Sequence, residues 1–361
     1  MKTISLCMIV KNESDVLGRC LDSAADLVDE IVIVDTGSTD NTKEIASKYT
    51  NQIFDFPWRD DFAAARNFAF AQGKSDYLFW LDADDVIEEK DRLLFLQEKE
   101  RLDENPHMVM MDYHVSFDEK GNPTFSYRRE RLVKRNAGFR WKGRIHEVIP
   151  PHGIVQQWKA AICHRKEVQK DPDRNLRIFQ SMINQGEILD ARQQYYYGRE
   201  LYYHEQYEAA INVLEEFLKM PNAWLENRID CCRDLARCYD AMGDTEKSLT
   251  ALFRSFLWDT PRAEVCCDLA DCLFRLQQYQ NADFWYGIAE QCSYQPERGG
   301  FLCPDCYDFL PALGRCRCHF AMGDREGAYQ YHLKTEQLRP SHRAVIYNNA
   351  FFASLGFEKR S

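Results

Sequence analysis

The sequence predicts an α/β domain with a mostly parallel sheet in its first half, followed by an all-α domain of helical repeats. From residue 3 to about residue 85, short apolar runs alternate with helical patterns, as in parallel sheets covered by helices on both faces. Beyond about residue 167 the β patterns disappear, and helix-forming sequence continues to the end. Similar segments recur in this second half, which is typical of stacked helical hairpins.

Length and composition indicate two globular domains. The chain has 361 residues, of which 45% are hydrophobic and 29% charged, and this length exceeds what one core usually organises. We predict an N-terminal domain over residues 1–165, a helical linker over 166–190 and a repeat domain over 191–361. The 14 cysteines are interpreted as reduced thiols, because the chain is long and shows no export signal.

Charge and hydropathy exclude some classes of partner. A net charge of -11 works against sequence-independent binding to nucleic acid, which requires surplus Lys and Arg. No apolar run approaches the roughly 20 residues that span a bilayer. The opening run, residues 4–10, is too short for a secretory signal core and leads directly into Lys11, Asn12 and Glu13. We therefore expect a cytoplasmic protein without a membrane span.

Three buried strands are predicted in the first domain, and polar residues follow each of them. Ligands of open α/β sheets lie beyond the carboxyl ends of the strands, so these polar residues are expected to meet in one crevice. A further stretch of β patterns over residues 108–162 is interpreted as an extension of the same sheet. The predicted strands are 4–10, 31–34 and 77–81; the predicted helices are 14–27, 40–49 and 61–72, with Gly73 as helix C-cap.

The strongest local signal is the pair Asp82 and Asp84 after the third strand. Two carboxylates held side by side repel each other, and a divalent cation removes that conflict. Oxygen ligands suit Mg²⁺ or Mn²⁺, which can neutralise a departing diphosphate. An acidic helix N-terminus is the alternative, because Asp85 and two glutamates follow.

Two further segments could bind a nucleotide. Asp35 closes the second strand and leads into a turn in which Gly37 permits close backbone approach, although Asp40 in that turn is also a good helix cap. A helix start at Asp60 or Asp61 places Arg66 and Asn67 one to two turns in, where an arginine could bind phosphate through two parallel hydrogen bonds. A solvated surface arginine is the alternative for Arg66.

Four blocks in this order resemble family 2 glycosyltransferases of the GT-A fold. They are residues 8–13, 34–40, 58–67 and 81–84. The segment 141–147, which ends in His146 and Glu147, is similar to a Gly-x-x-His-Glu segment of lipopolysaccharide-core sugar transferases and bacteriocin S-glycosyltransferases. The latter also join such a domain to tetratricopeptide-like repeats, so the resemblance covers nearly the whole chain.

The resemblance implies roles for individual residues. Asp35 would hold the nucleotide base, Asp82 the ribose or the metal, and Asp84 and His146 the metal. Inverting transfer needs a general base, for which we select Glu147, with Asp85 and Asp61 as rivals. A hydrogen-bonded structural histidine is the alternative for His146. The residues assigned to the donor nucleotide sugar are Asn12, Glu13, Asp35, Gly37, Arg66, Asn67 and Asp82.

The predicted activity is metal-dependent, inverting transfer of a sugar from a nucleotide diphosphate donor, with a UDP-sugar as the expected donor and Mn²⁺ or Mg²⁺ as the cofactor. The acceptor would be a peptide, a protein or a glycan, held partly by the groove of the repeats. The rival hypothesis is a non-catalytic repeat scaffold with a degenerate nucleotide-sugar-binding domain. The sequence does not identify the sugar, the acceptor or the oligomeric state, for which a homodimer stays open.

The repeats are visible as an alignment of Gly198, Ala236, Ala270 and Cys316, with spacings of 38, 34 and 46 residues. These spacings are close to the 34-residue period of tetratricopeptide hairpins. Two other features of this half have competing interpretations. Six tyrosines between residues 195 and 207 could form repeat core or line a groove, and Cys303 with Cys306 could bind zinc or be ordinary buried thiols.

Overall fold

The computed structural model describes residues 2–118, 121–165, 171–295 and 298–357. The chain divides into two compact units, of which the first comprises Met1–Ser116 and Ser126–Leu189 and the second comprises Phe117–Phe125 and Asp190–Ser361. Part of the proposed linker, residues 166–170, lies outside the described residues. The rest of that linker up to Leu189 groups with the first unit. The domain boundaries drawn from sequence stay a prediction.

An eight-stranded sheet forms the centre of the α/β fold, in the order β3-β2-β1-β4-β7-β6-β8-β5. Its strands are β1 (Ile4–Val10), β2 (Glu30–Asp35), β3 (Ile53–Asp55), β4 (Tyr77–Phe79), β5 (Asp85–Val86), β6 (Met108–Phe117), β7 (Pro123–Lys134) and β8 (Val155–His164). Its helices are α1 (Leu17–Ala24), α2 (Thr42–Ala46), α3 (Phe62–Gln72), α4 (Glu89–Lys99) and α5 (Arg174–Asn184).

The sheet is parallel where it carries the predicted nucleotide crevice. Strand β1 pairs in parallel with β2 and with β4, and β2 pairs in parallel with β3. Antiparallel pairing begins between β4 and β7. Strand β1 therefore lies between the two strands whose carboxyl ends carry Asp35 and Asp82. Neighbouring strands lie about 4.8 Å apart, so these two ends are separated by roughly 10 Å.

The three strands predicted at residues 4–10, 31–34 and 77–81 are confirmed. Their continuous apolar runs are typical of strands that are buried on both faces. The later β patterns also belong to this sheet, as predicted. Gly73 ends α3 as expected, but its φ of −67° does not require glycine. The steric surroundings require glycine instead, because a Cβ at Gly73 would lie 2.6 Å from Leu78 Cδ2 and 3.0 Å from Cys7 Sγ. This glycine thus lets the end of α3 approach the sheet closely.

The second unit contains helical hairpins, and the described residues after Asp171 contain no strand. Four consecutive helix pairs, α6–α7, α8–α9, α10–α11 and α12–α13, are followed by α14. Their bounds are α6 (Ala191–Tyr203), α7 (Tyr207–Lys219), α8 (Leu225–Ala241), α9 (Thr245–Arg254), α10 (Ala263–Arg275), α11 (Tyr279–Gln291), α12 (Phe309–Ala321), α13 (Arg325–Leu338) and α14 (Arg343–Ser354). The fold class predicted from sequence is confirmed.

A glycine followed by an aspartate forms the turn inside two of the hairpins. Gly243 and Gly323 adopt φ of 80° and 85°, values that favour glycine. The next residues, Asp244 and Asp324, accept hydrogen bonds from the backbone N–H groups of Lys247 and Gly327, and so cap the second helix of their hairpins.

The aligned small residues lie on the first helix of each hairpin. At Gly198 on α6, a Cβ would come within 2.5 Å of Leu214 Cδ2 on α7, so the glycine allows these helices to pack closely. The neighbouring Tyr195 is fully buried and packs on Phe217, with ring centroids 5.3 Å apart. Core packing is thus confirmed for Tyr195, whereas Tyr203 is 57% exposed.

Candidate active site

The turn after β2 holds Asp35 in a fixed orientation. Its Oδ1 accepts hydrogen bonds from the backbone N–H groups of Gly37 and Ser38, each 2.9 Å long. Gly37 adopts a φ of 106°, which side-chain-bearing residues rarely tolerate. The carboxylate is only 1% exposed, and no group of the described residues hydrogen-bonds to its buried Oδ2. Buried carboxylate oxygens usually accept a hydrogen bond, so this oxygen is a candidate contact for a ligand donor.

Hydrogen bonds connect the ends of β1 and β2. Asn12, with a φ of 54°, accepts at Oδ1 from the Thr39 backbone N–H at 2.7 Å and donates its own N–H to Ser38 Oγ at 2.9 Å. The Glu13 N–H donates to Thr42 Oγ1 at 2.8 Å. These bonds fix the two strand ends next to Asp35. The binding roles of the Asn12 and Glu13 side chains stay predictions.

Arg66 bridges two acidic residues that the sequence assigned to different tasks. Its Nη2 lies 2.7 Å from Asp82 Oδ1, and its Nε lies 2.6 Å from Glu147 Oε1. Burial would raise the pKa of Asp82, but the charge and hydrogen bond of Arg66, with the charges of Arg131 and Arg129, outweigh it and lower the pKa to about 2. Asp82 is therefore a carboxylate at neutral pH.

Two tryptophans enclose the Arg66 guanidinium, 4.8 Å from the Trp80 ring centroid and 4.9 Å from that of Trp141. Asn67 fixes Trp141, because its Nδ2 donates to the Trp141 carbonyl and its Oδ1 accepts from the Trp141 N–H, both at 3.0 Å. Arg66 is 7% exposed. Its geometry fits the support of Asp82 and Glu147 better than direct phosphate binding, and Asn67 supports the same wall.

Asp85 is a fully buried carboxylate that accepts several hydrogen bonds, and it is not exposed to an acceptor as a general base would be. The residue is fully buried, and its Oδ2 accepts from the Asp82 backbone N–H and from Arg131 Nη1, both at 3.0 Å. Its Oδ1 accepts from the Tyr113 hydroxyl at 2.7 Å and lies 3.5 Å from His164 Nδ1. A carboxylate enclosed in this way orients its neighbours. The general-base role assigned to Asp85 stays an untested prediction that this burial disfavours.

Asp84, Asp85 and His164 form a group that could hold a metal ion. One ligand atom from each lies within 4.8 Å of the others, and among the described residues this is the sole group of at least three such side chains. The side chains of Asp84 and His164 are 24% and 22% exposed, so an ion can reach them. Carboxylate oxygen and imidazole nitrogen are suitable ligands for Mn²⁺.

The neighbouring carboxylates favour the charged form of the His164 ring. Burial would lower the pKa of His164, but hydrogen bonds and charges of Asp84 and Asp85 outweigh it and raise the pKa to about 10. The acidic pair therefore already attracts a cation, here the imidazolium. Binding of a metal by His164 Nδ1 would displace that proton.

The sequence prediction named His146 as a metal ligand and did not name His164. His164 reaches the acidic turn because β8 pairs with β5, which places Asp85 opposite His164. The signal for it was weak: an apolar run, residues 160–163, that ends in a histidine. His146 adopts a φ of 50°, and its ring stacks on Phe179 of α5 with centroids 6.1 Å apart. His146 is outside the group that Asp84 joins among the described residues.

The remaining general-base candidates differ in position. Glu147 is 8% exposed and binds Arg66, as described above. Asp61 caps α3 by accepting from the Ala64 N–H at 2.8 Å, which explains its place at that helix start. Of these two candidates, Glu147 is linked to the turn that contains Asp82, because both residues bind Arg66.

The mostly parallel sheet and the acidic turn after β4 agree with the GT-A glycosyltransferase fold that the sequence resemblance implies. The sequence model of one family, described as Glycosyl transferase family 2, matches residues 5–160. This region is therefore a family 2 glycosyltransferase domain.

Curated relatives match parts of this chain. A TPR repeat-containing protein of Synechococcus elongatus is 36% identical over 151 residues, which cover 41% of this chain and 36% of the relative. The glycosyltransferase SunS of Bacillus subtilis is 25% identical over 237 residues, or 59% of this chain and 53% of SunS. The lipopolysaccharide core biosynthesis glycosyltransferase LpsC of Rhizobium meliloti is 29% identical over 160 residues, or 42% of this chain and 58% of LpsC. The chain thus spans about a third to somewhat over half the length of these relatives.

Among the helices of the described ranges, none combines the length and the apolar character that crossing a membrane requires.

Proposed function

We propose that the protein is a metal-dependent inverting glycosyltransferase that uses a nucleotide diphosphate sugar, expected to be a UDP-sugar, and a peptide, protein or glycan acceptor. The observation that carries the proposal is the buried Oδ2 of Asp35, to which no described part of the chain offers a hydrogen bond. An unsatisfied buried carboxylate oxygen is costly unless a ligand supplies a donor, and a nucleobase N–H is such a donor. The match of residues 5–160 to the glycosyltransferase family supports the same ligand class.

The acidic turn two strands away suits the other end of such a donor. We assign the metal to Asp84 and His164, with Asp85 orienting the imidazole, and keep His146 as the alternative ligand from the sequence. When bound, a divalent ion would neutralise the negative charge of the departing diphosphate. Asp82, fixed by Arg66, is then free to contact the ribose or the ion.

The proposed reaction is a single displacement at the anomeric carbon. The acceptor gives its proton to a base, for which Glu147 is our selection, and forms a bond to the anomeric carbon. The bond from that carbon to the phosphate oxygen breaks, and its electron pair leaves with the nucleoside diphosphate. Attack opposite to the leaving group inverts the configuration.

Calorimetry with UDP, in the presence and absence of Mn²⁺, tests the donor class directly. We expect UDP binding that Mn²⁺ strengthens, and slow release of UDP from at least one UDP-sugar without any acceptor. A screen across UDP-, GDP- and other nucleotide sugars would replace uracil as the expected nucleobase of the donor if another nucleotide binds more tightly. Absence of binding for every nucleotide tested would instead support the non-catalytic scaffold.

A further inference from the structure

Three arginines surround the ring of Trp80 near the acidic turn. The guanidinium carbons of Arg66, Arg129 and Arg131 lie 4.8, 5.0 and 3.9 Å from the ring centroid. Two of them are already committed. Arg66 holds Asp82 and Glu147 in short ion pairs, and Arg131 is fully buried against Asp85. Neither can turn toward an incoming anion without leaving a buried carboxylate unpaired.

Arg129 differs from both in its contacts and its exposure. Its side chain is 21% exposed. Nη2 reaches Glu130 Oε1 and the Glu147 backbone carbonyl, each at 3.4 Å, near the limit of a hydrogen bond. A guanidinium has five N–H donors, so these two long contacts leave most of its capacity for a ligand. Its positive charge also acts on Asp82, where it helps to lower the pKa of that carboxyl.

We propose that Arg129 binds the diphosphate of the nucleotide donor and stabilises the negative charge that develops on it as the sugar departs. The inference rests on the proposed function, and it moves the phosphate-binding role from Arg66 to Arg129. The Trp80 ring orients the guanidinium plane, and a guanidinium can donate two parallel hydrogen bonds to phosphate oxygens.

The preceding residue offers a matched control. Arg128 is on the same strand, but its Nε binds Asp112 Oδ1 at 3.2 Å, and adjacent side chains of a strand point to opposite faces. The experiment measures UDP and uridine binding to the full-length chain by calorimetry with Mn²⁺ present. The variants are Arg129→Met, Arg129→Lys and Arg128→Met. Methionine keeps an aliphatic stem on Trp80 and removes the charge.

We expect Arg129→Met to weaken UDP binding by about 10- to 100-fold, the usual cost of losing hydrogen bonds to a charged group, and to leave uridine binding within about twofold. Arg129→Lys should recover part of the loss, and Arg128→Met should bind both ligands like the wild type. The proposal is overturned if Arg129→Met binds UDP normally, or if it loses UDP and uridine equally, as a merely structural residue would. A wild-type protein that binds no nucleotide overturns the proposed function as well, which separates the two failures.

Discussion

Arg66 Nη2 lies 2.7 Å from Asp82 Oδ1, and this ion pair connects helix α3 to the acidic turn after β4. The same guanidinium binds Glu147 through Nε, so a single side chain from α3 positions two separate acidic segments. Charged pairs of this kind, once buried, are costly to break from one side only. Arg66 is therefore expected to matter for folding as well as for activity.

The first prediction concerns this bridge. Arg66→Met leaves the carboxylates of Asp82 and Glu147 without their partner and should lower the free energy of unfolding by about 3–5 kcal/mol. Urea unfolding followed by circular dichroism measures this. Arg59→Met is the control, because Arg59 is exposed and its guanidinium lies 5.6 Å from the Phe56 ring centroid. Equal stability of the two variants would contradict the bridging role of Arg66.

A second prediction separates the two histidines. If His164 holds the metal with Asp84, His164→Gln should weaken Mn²⁺-dependent UDP binding by at least about tenfold, in line with the loss of metal-site residues elsewhere. His146→Gln should change it by less than about threefold. Calorimetric titration of Mn²⁺ into the UDP-loaded protein gives both values. A larger loss of binding in His146→Gln than in His164→Gln would support His146 as the metal ligand and exclude His164 from that role.

Asp35 gives a third prediction, on base recognition. Asp35→Asn keeps an oxygen for the N–H groups of Gly37 and Ser38 but replaces the unpaired Oδ2 with an NH₂ donor. Uridine binding should fall by about 10- to 100-fold, because an acceptor facing a base N–H becomes a second donor. Asp55→Asn is the control, since Asp55 pairs with the neighbouring Lys43 and its side chain is 75% exposed. Normal uridine binding by Asp35→Asn would show that the base lies elsewhere.

The fold was readable from sequence where the pattern is local. The apolar run of β1 and the Gly243-Asp244 turn each follow from a few adjacent residues. His164 was not readable in this way, because it joins Asp84 and Asp85 only through the pairing of β8 with β5, about 80 residues away in the chain. The partners of Arg66 were missed for the same reason, since Glu147 is 81 residues from it. Local patterns predict elements, whereas the contacts inside a site depend on long-range register.

A fourth prediction tests packing in the repeats. A Cβ at Gly314 on α12 would lie 2.2 Å from Tyr286 Cζ on α11, so Gly314→Ala should reduce the free energy of unfolding by about 1–3 kcal/mol through overpacking. Gly287→Ala on α11 is the matched control, because its nearest atom is Arg315 Nη1 at 3.7 Å. There alanine should be neutral or stabilise by up to about 1 kcal/mol through helix propensity. Thermal unfolding of both variants tests this prediction, and a stabilised Gly314→Ala variant would contradict this packing.

The last prediction concerns Asp230, a carboxyl of the repeats whose side chain is 15% exposed. Burial raises the pKa of Asp230 to about 7, and the charges of Asp234 and Glu264 add to this, although Arg233 opposes it. Because the pKa in the unfolded chain is about 3.9, the folded protein binds this proton more tightly. The resulting stabilisation is complete below about pH 4 and is lost as the pH rises through about 7.

Asp230→Asn removes that titration and should flatten the fall in stability between pH 5 and pH 8. The variant should therefore gain melting temperature relative to the wild type as the pH rises across this range.

Asp268→Asn is the control, because it removes the other acidic partner of Arg233, whose Nε lies 2.6 Å from Asp268 Oδ2. That variant should lose stability at both pH values, since Arg233, whose side chain is 13% exposed, loses its shorter ion pair. Differential scanning calorimetry of the full-length chain at pH 5 and pH 8 measures the two differences. If the gap between Asp230→Asn and the wild type stays constant with pH, Asp230 does not titrate in this window.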